Sequence, residues 1–407
     1  MLVILLFISL FSFAIEDTQV LPKGVRSFMW KQGRVGGITN KFGDDNALYS
    51  LDSRLSRNFD ATEILKVHPR APELINGLNN SLVQKYAMGQ KLQLGELRFS
   101  GDAYVNYSAP IFAYGISDKW TLGVGAPITQ LKADIVVRSG GYNNAKEIYQ
   151  SMGSGILEEA DRKEFEKLLD IDLVQSFKDF LQDRNYKPLQ ADESWQIGDL
   201  QVISKYRYYD SPKWTLLNKV LFNLPTGPED DPDSLIDIPI FHRRYIEFTQ
   251  VQDFHLDARN TIGTALTYQW NIADDINKRV PSYSGDYLPA EERKERVERD
   301  RGDAFRWETS YRTKWTSSWS TAAAYIGEYK AADYYNGDRG YDYALLSENS
   351  DTLFHKIELG LSYSSVEAFL NKAAAFPYGI TYRYSDIISG RNVDKQKSHE
   401  LTMMVFF

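Results

Sequence analysis

The chain has no cysteine, no excess of positive charge and, beyond its first fourteen residues, no long apolar run. The missing cysteines exclude disulfide frameworks and thiol chemistry. A membrane-spanning helix needs about 20 apolar residues, and a mean hydropathy of -0.42 is too polar for a helical membrane protein. A net charge of -8 over 407 residues argues against nucleic acid as a partner.

Apolar and polar residues instead alternate, most clearly over residues 306–315. One parity carries Trp307, Thr309, Tyr311, Thr313 and Trp315, and the other carries Arg, Glu, Ser, Arg and Lys. Because successive side chains of a strand face opposite ways, a soluble sheet would bury the aromatic face in a core. A membrane barrel would turn that face to lipid and line a polar lumen with the other. The 26 tyrosines and 8 tryptophans favour the barrel, since such rings suit a lipid–water boundary.

Both ends of the chain are typical of export to the outer membrane. Residues 1–14 are an apolar run with small residues at its end, which predicts a signal peptide cleaved after about Ala14. Residues 15–407 are then one barrel. Leu401, Met403, Val405 and Phe407 share one parity, and a last strand that ends in Phe resembles the signal read by the barrel-assembly machinery. We therefore expect the Gram-negative cell outer membrane as location and its lipid as partner.

The connections between alternating segments are short and long in turn, which is the outer-membrane pattern of tight periplasmic turns and large outer loops. The fold class is therefore an all-β transmembrane barrel of about 12 antiparallel strands, with helical insertions in its extracellular loops. The predicted strands are roughly 24–35, 97–116, 120–138, 196–210, 213–225, 244–257, 261–273, 304–315, 319–333, 352–364, 377–388 and 398–407.

Two long loops carry helical periodicity. Leu and Phe recur at helical spacing within 143–190, and 71–90 begins with a proline and ends near a glycine. These helices either pack as an outer cap or gate the lumen. The mixed-charge run 291–301 predicts a solvated loop or a short surface helix.

Two segments carry a family resemblance. Residues 120–128 read WTLGVGAPI, and residues 198–209 read GDLQVISKYRYY, running on to FNLPTG at 222–227. This order resembles the outer-membrane proteins associated with the meta-pathway of phenol degradation, which are similar to hydrophobic-compound transporters. The resemblance covers about 120–227 and implies a barrel that passes small aromatic or apolar compounds.

No catalytic arrangement stands out among the five histidines. Asp253, His255 and Asp257 share one parity, and carboxylates beside a histidine can form a general base or a metal site. A hydrogen-bonded cluster near the periplasmic turn explains the same pattern. We predict no enzyme activity, no cofactor and no metal.

Charges of both signs fall on the inward parity, and we expect them to line the lumen. They either fill it with ion pairs or select small solutes. The set is Arg98, Asp102, Lys205, Arg207, Glu247, Asp253, His255, Asp257, Arg259, Glu308, Arg312, Lys314, Lys356, Glu358 and Arg383.

The sequence thus predicts a porin-like channel or facilitator for passive passage of small solutes, apolar or aromatic ones included, through a lumen gated by the loop helices. The alternative is a non-conducting surface structural or adhesion barrel that binds partners through its long loops.

Overall fold

The structure is a computed structural model that describes residues 15–37, 39–50, 57–60, 85, 92–152, 158–192, 195–236 and 241–407. The strands, in chain order, are β1 (Arg26–Gly36), β2 (Asn40–Phe42), β3 (Leu48–Ser50), β4 (Arg57–Asp60), β5 (Gln93–Ser117), β6 (Trp120–Gly125), β7 (Ile128–Asn143), β8 (Gln190–Asp192), β9 (Gln196–Ile197), β10 (Leu200–Asp210), β11 (Trp214–Leu224), β12 (Tyr245–His255), β13 (Asn260–Asn271), β14 (Asp274–Arg279), β15 (Lys294–Asp300), β16 (Ala304–Lys314), β17 (Trp319–Lys330), β18 (Tyr334–Asn336), β19 (Thr352–Ser364), β20 (Tyr378–Arg391) and β21 (Lys397–Phe406). The helices are α1 (Ala145–Met152), α2 (Glu159–Leu169), α3 (Leu173–Asp183), α4 (Ala344–Ser347), α5 (Val366–Leu370) and a 3₁₀ turn over Glu291–Arg293.

Twelve strands close into an antiparallel ring. The order around the ring is β1, β21, β20, β19, β17, β16, β13, β12, β11, β10, β6 and β5, and β5 pairs again with β1. Trp30 marks this closure, because it lies opposite Met403 of β21 and Pro110 of β5. The predicted all-β barrel of about 12 strands is confirmed.

The alternation within the ring strands sets two faces, as β16 shows. Tyr311 on the outer face keeps 48% of its surface exposed, whereas Glu308 on the inner face keeps 5%. The charged face is therefore enclosed and the aromatic face is outside, which is the reverse of a water-soluble sheet and typical of a membrane barrel. Among the described residues, no helix combines the length and the apolarity needed to cross a membrane.

The two ends of the ring differ in their connections. At the inner end, the turns after β5, β10, β12 and β16 are tight, and Ser211 donates to the carbonyl of Trp214 at 2.8 Å in one of them. The start of β1 and the end of β21 both lie at this end, because the backbones of Arg26 and Phe407 bond to each other at 2.8 and 2.9 Å. The long connections, including 225–244 and 272–303, lie at the outer end, which confirms the predicted pattern.

The chain divides into two compact units, the second of which comprises residues 49–101 and 134–189. The described part of 143–190 contains three helices, α1, α2 and α3, where one or two were predicted. Phe165 of α2 is fully buried, and Phe177 of α3 contacts Phe99 edge-on with ring centroids 5.3 Å apart. Asp172 caps α3 by accepting from the backbone of Val174 and Gln175 at 2.9 and 3.0 Å. Of the predicted helical segment 71–90, all but residue 85 lies outside the described residues.

The prediction for 291–301 was wrong, because most of that run is a strand. β15 pairs with β14 and β18 in a small sheet at the outer end of the ring. Arg299 is 2% exposed, and its guanidinium donates to both carboxylate oxygens of Asp274 at 2.9 and 2.7 Å. On the buried face of β15, Glu295 and Arg299 flank the single apolar residue Val297, so the sequence pattern resembles that of a solvated segment.

Candidate functional site

The residues that precede β1 run through the ring as a strap, defined here as Ile15–Gly24. Near the inner end, the backbone of Lys23 donates to the carboxylate of Asp118 at 3.0 Å. The backbone of Leu21 donates to the hydroxyl of Thr121 at 2.7 Å. Both partners belong to the β5–β6 hairpin, so the strap enters from the inner end.

Farther along, the strap is held by side chains of four other strands. Glu16 forms an ion pair with Lys219 of β11, and its backbone N–H donates to Glu308 of β16 at 2.8 Å. Asp17 pairs with Lys205 of β10 at 3.1 Å. The hydroxyl of Thr18 donates to Asp253 of β12 at 2.7 Å. Only a segment inside the ring can meet inward side chains from so many strands.

Two apolar contacts add to these polar ones. Val20 packs on a buried patch formed by Leu217, Val251 and Ala265. Ile15 is 8% exposed and packs in a larger cluster that includes Ile326 and Phe354.

The contact between Glu16 and Glu308 shows how deep the strap reaches. Glu308 lies six residues from the inner end of β16, so the strap extends roughly 20 Å into the ring at a rise of about 3.3 Å per strand residue.

Most of the predicted lumen residues are drawn into one network inside the ring. Arg312 pairs with Asp253. Lys356 and Arg383 lie 3.5 and 3.9 Å from Glu358. Glu247 is 1% exposed and accepts from Arg306 at 3.3 Å. Ion pairs and strap contacts therefore take up the charges of the inner half of the ring.

The remaining predicted residues lie elsewhere. Asp257 closes the turn after β12, where it accepts from the backbone of Arg259 at 2.7 Å, and Lys314 is exposed at the same end. Arg207 donates to the carbonyl of Asp118 at the inner mouth at 2.9 Å. Arg98 lies in the second unit and pairs with its neighbour Glu96 at 2.7 Å. The side chain of Asp102 is outside the described part.

His255 is placed by two threonines and contacts no carboxylate. Its ring nitrogens lie 3.1 Å from the hydroxyl of Thr261 and 3.0 Å from that of Thr215. Asp253 is instead held by Arg312 and the strap. Across the described ranges, no three potential ligands gather as a metal site would require. Asp253 therefore helps to hold the strap, and His255 links the inner ends of β11 and β13 through Thr215 and Thr261.

Above the strap lies an open space, the outer cavity, which occupies about 1160 Å³ including solvent at its mouth. Its apolar wall consists of Val35, Ala304, Ile326, Phe354 and Ile387. Its charged lining consists of the cations Arg243, Arg301, Arg306, Lys330, Lys356 and Arg383 and the carboxylates Glu328, Glu358 and Glu400. The cavity is thus amphipathic, and cations outnumber carboxylates on its surface.

Most of the charged lining is paired. Arg383 donates to Glu400 at 2.9 Å, and Tyr107 donates to the other oxygen of Glu400 at 2.9 Å. Arg306 lies 3.6 Å from Glu328. Lys330 pairs with Asp333, which lies behind the lining. Arg301 forms no ion pair within 4.0 Å in the part of the chain that the structure describes.

The strap residues and several residues that line the cavity were not predicted from the sequence. The strap has no strand alternation, and its partners come together only when the ring closes. Lys219 and Glu400 carried a detectable signal, because each is a charged residue on the inward parity of a strand. Arg243 and Arg301 lie in outer connections, where parity gives no direction.

Asp199, in the segment 198–209 that carries the family resemblance, has a structural role that was not predicted from the sequence. Asp199 is 3% exposed and accepts four hydrogen bonds of 2.8 to 3.0 Å. The donors are the side-chain amide of Asn223 and the backbone N–H groups of Gly227, His242 and Arg243. One carboxylate therefore joins the two ends of the loop 225–244.

A second cluster, the outer-loop cluster, ties the middle of that loop to the β14–β15 hairpin. Asp230 lies 3.0 Å from Lys278 and 3.3 Å from Arg299, and Asp233 lies 2.6 Å from Arg279 and 2.7 Å from Lys294. Burial raises the pKa of Asp230, but the charges of its two partners outweigh burial and hold that pKa well below its ordinary value. Asp230 therefore stays ionised at neutral pH.

Comparison with known proteins identifies the fold. The chain is similar to the COG4313 outer membrane channel from Pseudomonas putida F1, with a TM-score of 0.53 and 10% identity over 96% of this chain and 98% of that one. Weaker similarity extends to the CymD monoaromatic hydrocarbon channel, with a TM-score of 0.34 and 8% identity over 95% and 89% of the two chains. The Ralstonia pickettii toluene transporter TbuX gives a TM-score of 0.31 and 11% identity over 95% of this chain and 90% of that one. No protein-family model and no curated protein sequence matches the chain.

The first of these similarities, together with the closed ring and its aromatic outer face, establishes an outer-membrane barrel. The predicted fold class and outer-membrane location are confirmed. The association with phenol degradation stays a prediction.

Proposed function

We propose that the protein is an outer-membrane channel for the passive passage of small solutes, with the strap as the inner barrier. The observation that carries this proposal is the outer cavity lying in series with the strap inside one closed ring. A solute that enters from the outer end reaches the cavity by diffusion. It passes farther only when the strap leaves its partners.

The proposed solutes are small and partly apolar or aromatic. The apolar wall of the outer cavity supports this class, and so does the resemblance carried by residues 120–128 and 198–227. No group in the ring needs to change its covalent state for such passage, so the proposed role is non-enzymatic.

The strap is held by contacts that reverse without chemistry. Its main attachments are two ion pairs, at Lys219 and Lys205, and hydrogen bonds to Glu308, Asp253 and Thr121. These groups regain hydration when the strap moves away and the lumen fills with water. The net free energy of docking is therefore far smaller than the sum of the contacts.

Planar bilayer recordings test the strap. The full chain is compared with a variant whose mature sequence begins at Lys23 and therefore lacks most of the strap. We expect small or rare conductance steps from the full chain and larger, longer steps from the shortened one. Equal conductance from two folded proteins would show that the strap is no barrier.

A second deletion tests the loop helices as an additional gate. Removing about 143–190, which contains α1, α2 and α3, raises conductance if these helices restrict the outer entrance. Unchanged conductance rejects this part of the proposal and leaves the strap as the barrier. A barrel that stays sealed after both deletions favours the structural or adhesion role.

A further inference from the structure

We propose that the outer cavity is a binding site for small amphipathic anions, in which Arg301 takes a carboxylate and the apolar wall takes an aromatic or aliphatic body. This inference rests on the proposed channel function and specifies its class of solute. The charges that line the outer cavity do not cancel one another, because six cationic side chains line it and only three carboxylates do.

Arg301 is a buried cation without a counter-ion at contact distance. The residue is 7% exposed, and its Nε has no hydrogen-bond partner in the described chain. Burial and the neighbouring charge of Arg299 lower the pKa of its guanidinium, and the charges of Asp333 and Asp230, which lie beyond ion-pair distance, offset this only in part. The site therefore favours an anion that contacts the guanidinium directly.

Arg301 lines the outer cavity, and hydrogen bonds hold the backbone beside it. Gly302 donates its N–H to Asp333 at 3.1 Å and accepts from the side chain of Asn271 at 2.7 Å. Asp303 accepts from the backbone of Asn271 at 2.9 Å. A positioned guanidinium can bind a carboxylate through two parallel N–H donors without first being ordered.

The two carboxylates whose charges act on Arg301 are engaged by other cations. Asp333 pairs with Lys330, and Asp230 pairs with Lys278 and Arg299. A second guanidinium, that of Arg243, faces the same cavity, and burial together with the charge of Arg301 lowers its pKa to about 9. Arg301 therefore leaves positive charge at this part of the cavity.

The apolar wall explains why an inorganic anion is a poorer fit than an organic one. Ile326, Phe354 and Ile387 line the cavity and belong to one apolar cluster. A ring seated against them would remove its own apolar surface from water. A neutral ring would gain this contact but would leave the guanidinium of Arg301 without an ion-pair partner.

Equilibrium dialysis with radiolabelled ligands tests the proposal on the full chain folded in detergent, with empty micelles as the baseline. Benzoate and benzamide have nearly the same shape but differ in charge, and acetate keeps the charge without the ring. We expect benzoate to bind at least about tenfold more tightly than either of the others. Equal binding of benzoate and benzamide, or of benzoate and acetate, would overturn the proposal without using any variant.

Variants then assign the carboxylate position. Arg301→Gln should weaken benzoate binding about tenfold or more and leave benzamide unchanged, whereas Arg301→Lys should weaken benzoate less because it keeps the charge. Arg296→Gln is the matched control, since Arg296 lies on the same hairpin but its side chain is 55% exposed. Full benzoate affinity in Arg301→Gln would remove Arg301 from the site.

This measurement is independent of conduction. Benzoate binding by a barrel that shows no conductance steps would support the site and reject the channel. Conductance without selective benzoate binding would support the channel and reject the site.

Discussion

Replacing Glu16 with Gln should free the strap, because the change leaves Lys219 buried without its partner. The two side chains are 8% and 7% exposed, so this pair is not a solvent-screened surface pair. Breaking a buried pair costs about 3–5 kcal/mol in the docked state. When the strap is released, Lys219 faces a hydrated lumen and the cost disappears. At about 3 kcal/mol, the ratio of released to docked strap rises about 150-fold.

The absence of native cysteine makes this ratio measurable by thiol labelling. A single Thr18→Cys substitution places a thiol at a position that is 5% exposed in the docked strap. A small methanethiosulfonate reagent should label it on the order of 100-fold faster in the Glu16→Gln background. Replacing both partners, as Glu16→Gln with Lys219→Met, should restore most of the slow labelling rate of the parent, because no buried charge is left unpaired.

The control replaces an exposed glutamate in the same way. Glu159 lies 3.3 Å from Lys163 on α2, and both side chains are at least two-thirds exposed. Glu159→Gln should leave the labelling rate unchanged, since exposed pairs contribute about 0–1 kcal/mol. A Glu16→Gln protein that is folded but labels within twofold of the parent would refute the docking energetics described here.

Three further changes test other contacts. Replacing Asp172 with Ala should destabilise α3 by about 1 kcal/mol, seen as faster hydrogen exchange over that helix, because two backbone N–H groups lose their acceptor. Replacing Arg299 with Met should destabilise the β14–β15 hairpin by about 3–5 kcal/mol, because Asp230 and Asp274 lose a buried partner; protease sensitivity of the outer loops reports this. The depressed pKa of Asp230 stabilises its loop fully above its ordinary value of 3.8 and progressively less as the pH falls below it. Hydrogen exchange there, corrected for intrinsic rates, should be constant from pH 7 to about pH 4.5 and rise at lower pH.

The sequence predicted the ring because one physical rule governs all of its strands. Lipid outside and water inside impose a two-residue period, as in Arg306–Lys314, and the tight inner turns show up as short polar breaks. Most strand ends were predicted to within a few residues for the same reason, and α2 and α3 followed from their buried phenylalanines. The predicted strand 120–138 was wrong, because the chain leaves the strand after Gly125 and begins a second strand, β7, at Ile128.

The strap and the outer sheet could not be predicted in this way. The strap is an irregular segment whose partners lie between about 100 and 290 residues away in the chain, so no local period reveals it. β15 buries arginine where a strand usually buries valine or isoleucine. The cavity depends on which charges are paired, and pairing is set by the closed ring rather than by parity.

Asp199 and the outer-loop cluster together limit how the outer end can open. The loop 225–244 is fastened at its base by one carboxylate and at its middle to the β14–β15 hairpin, which itself joins β18. These three connections are therefore mechanically coupled. Displacing the loop 225–244 requires breaking charge pairs with the hairpin, and displacing the hairpin also breaks its strand pairing with β18. A solute that enters at this part of the outer end has to pass beside the coupled connections, because one of them does not move aside alone.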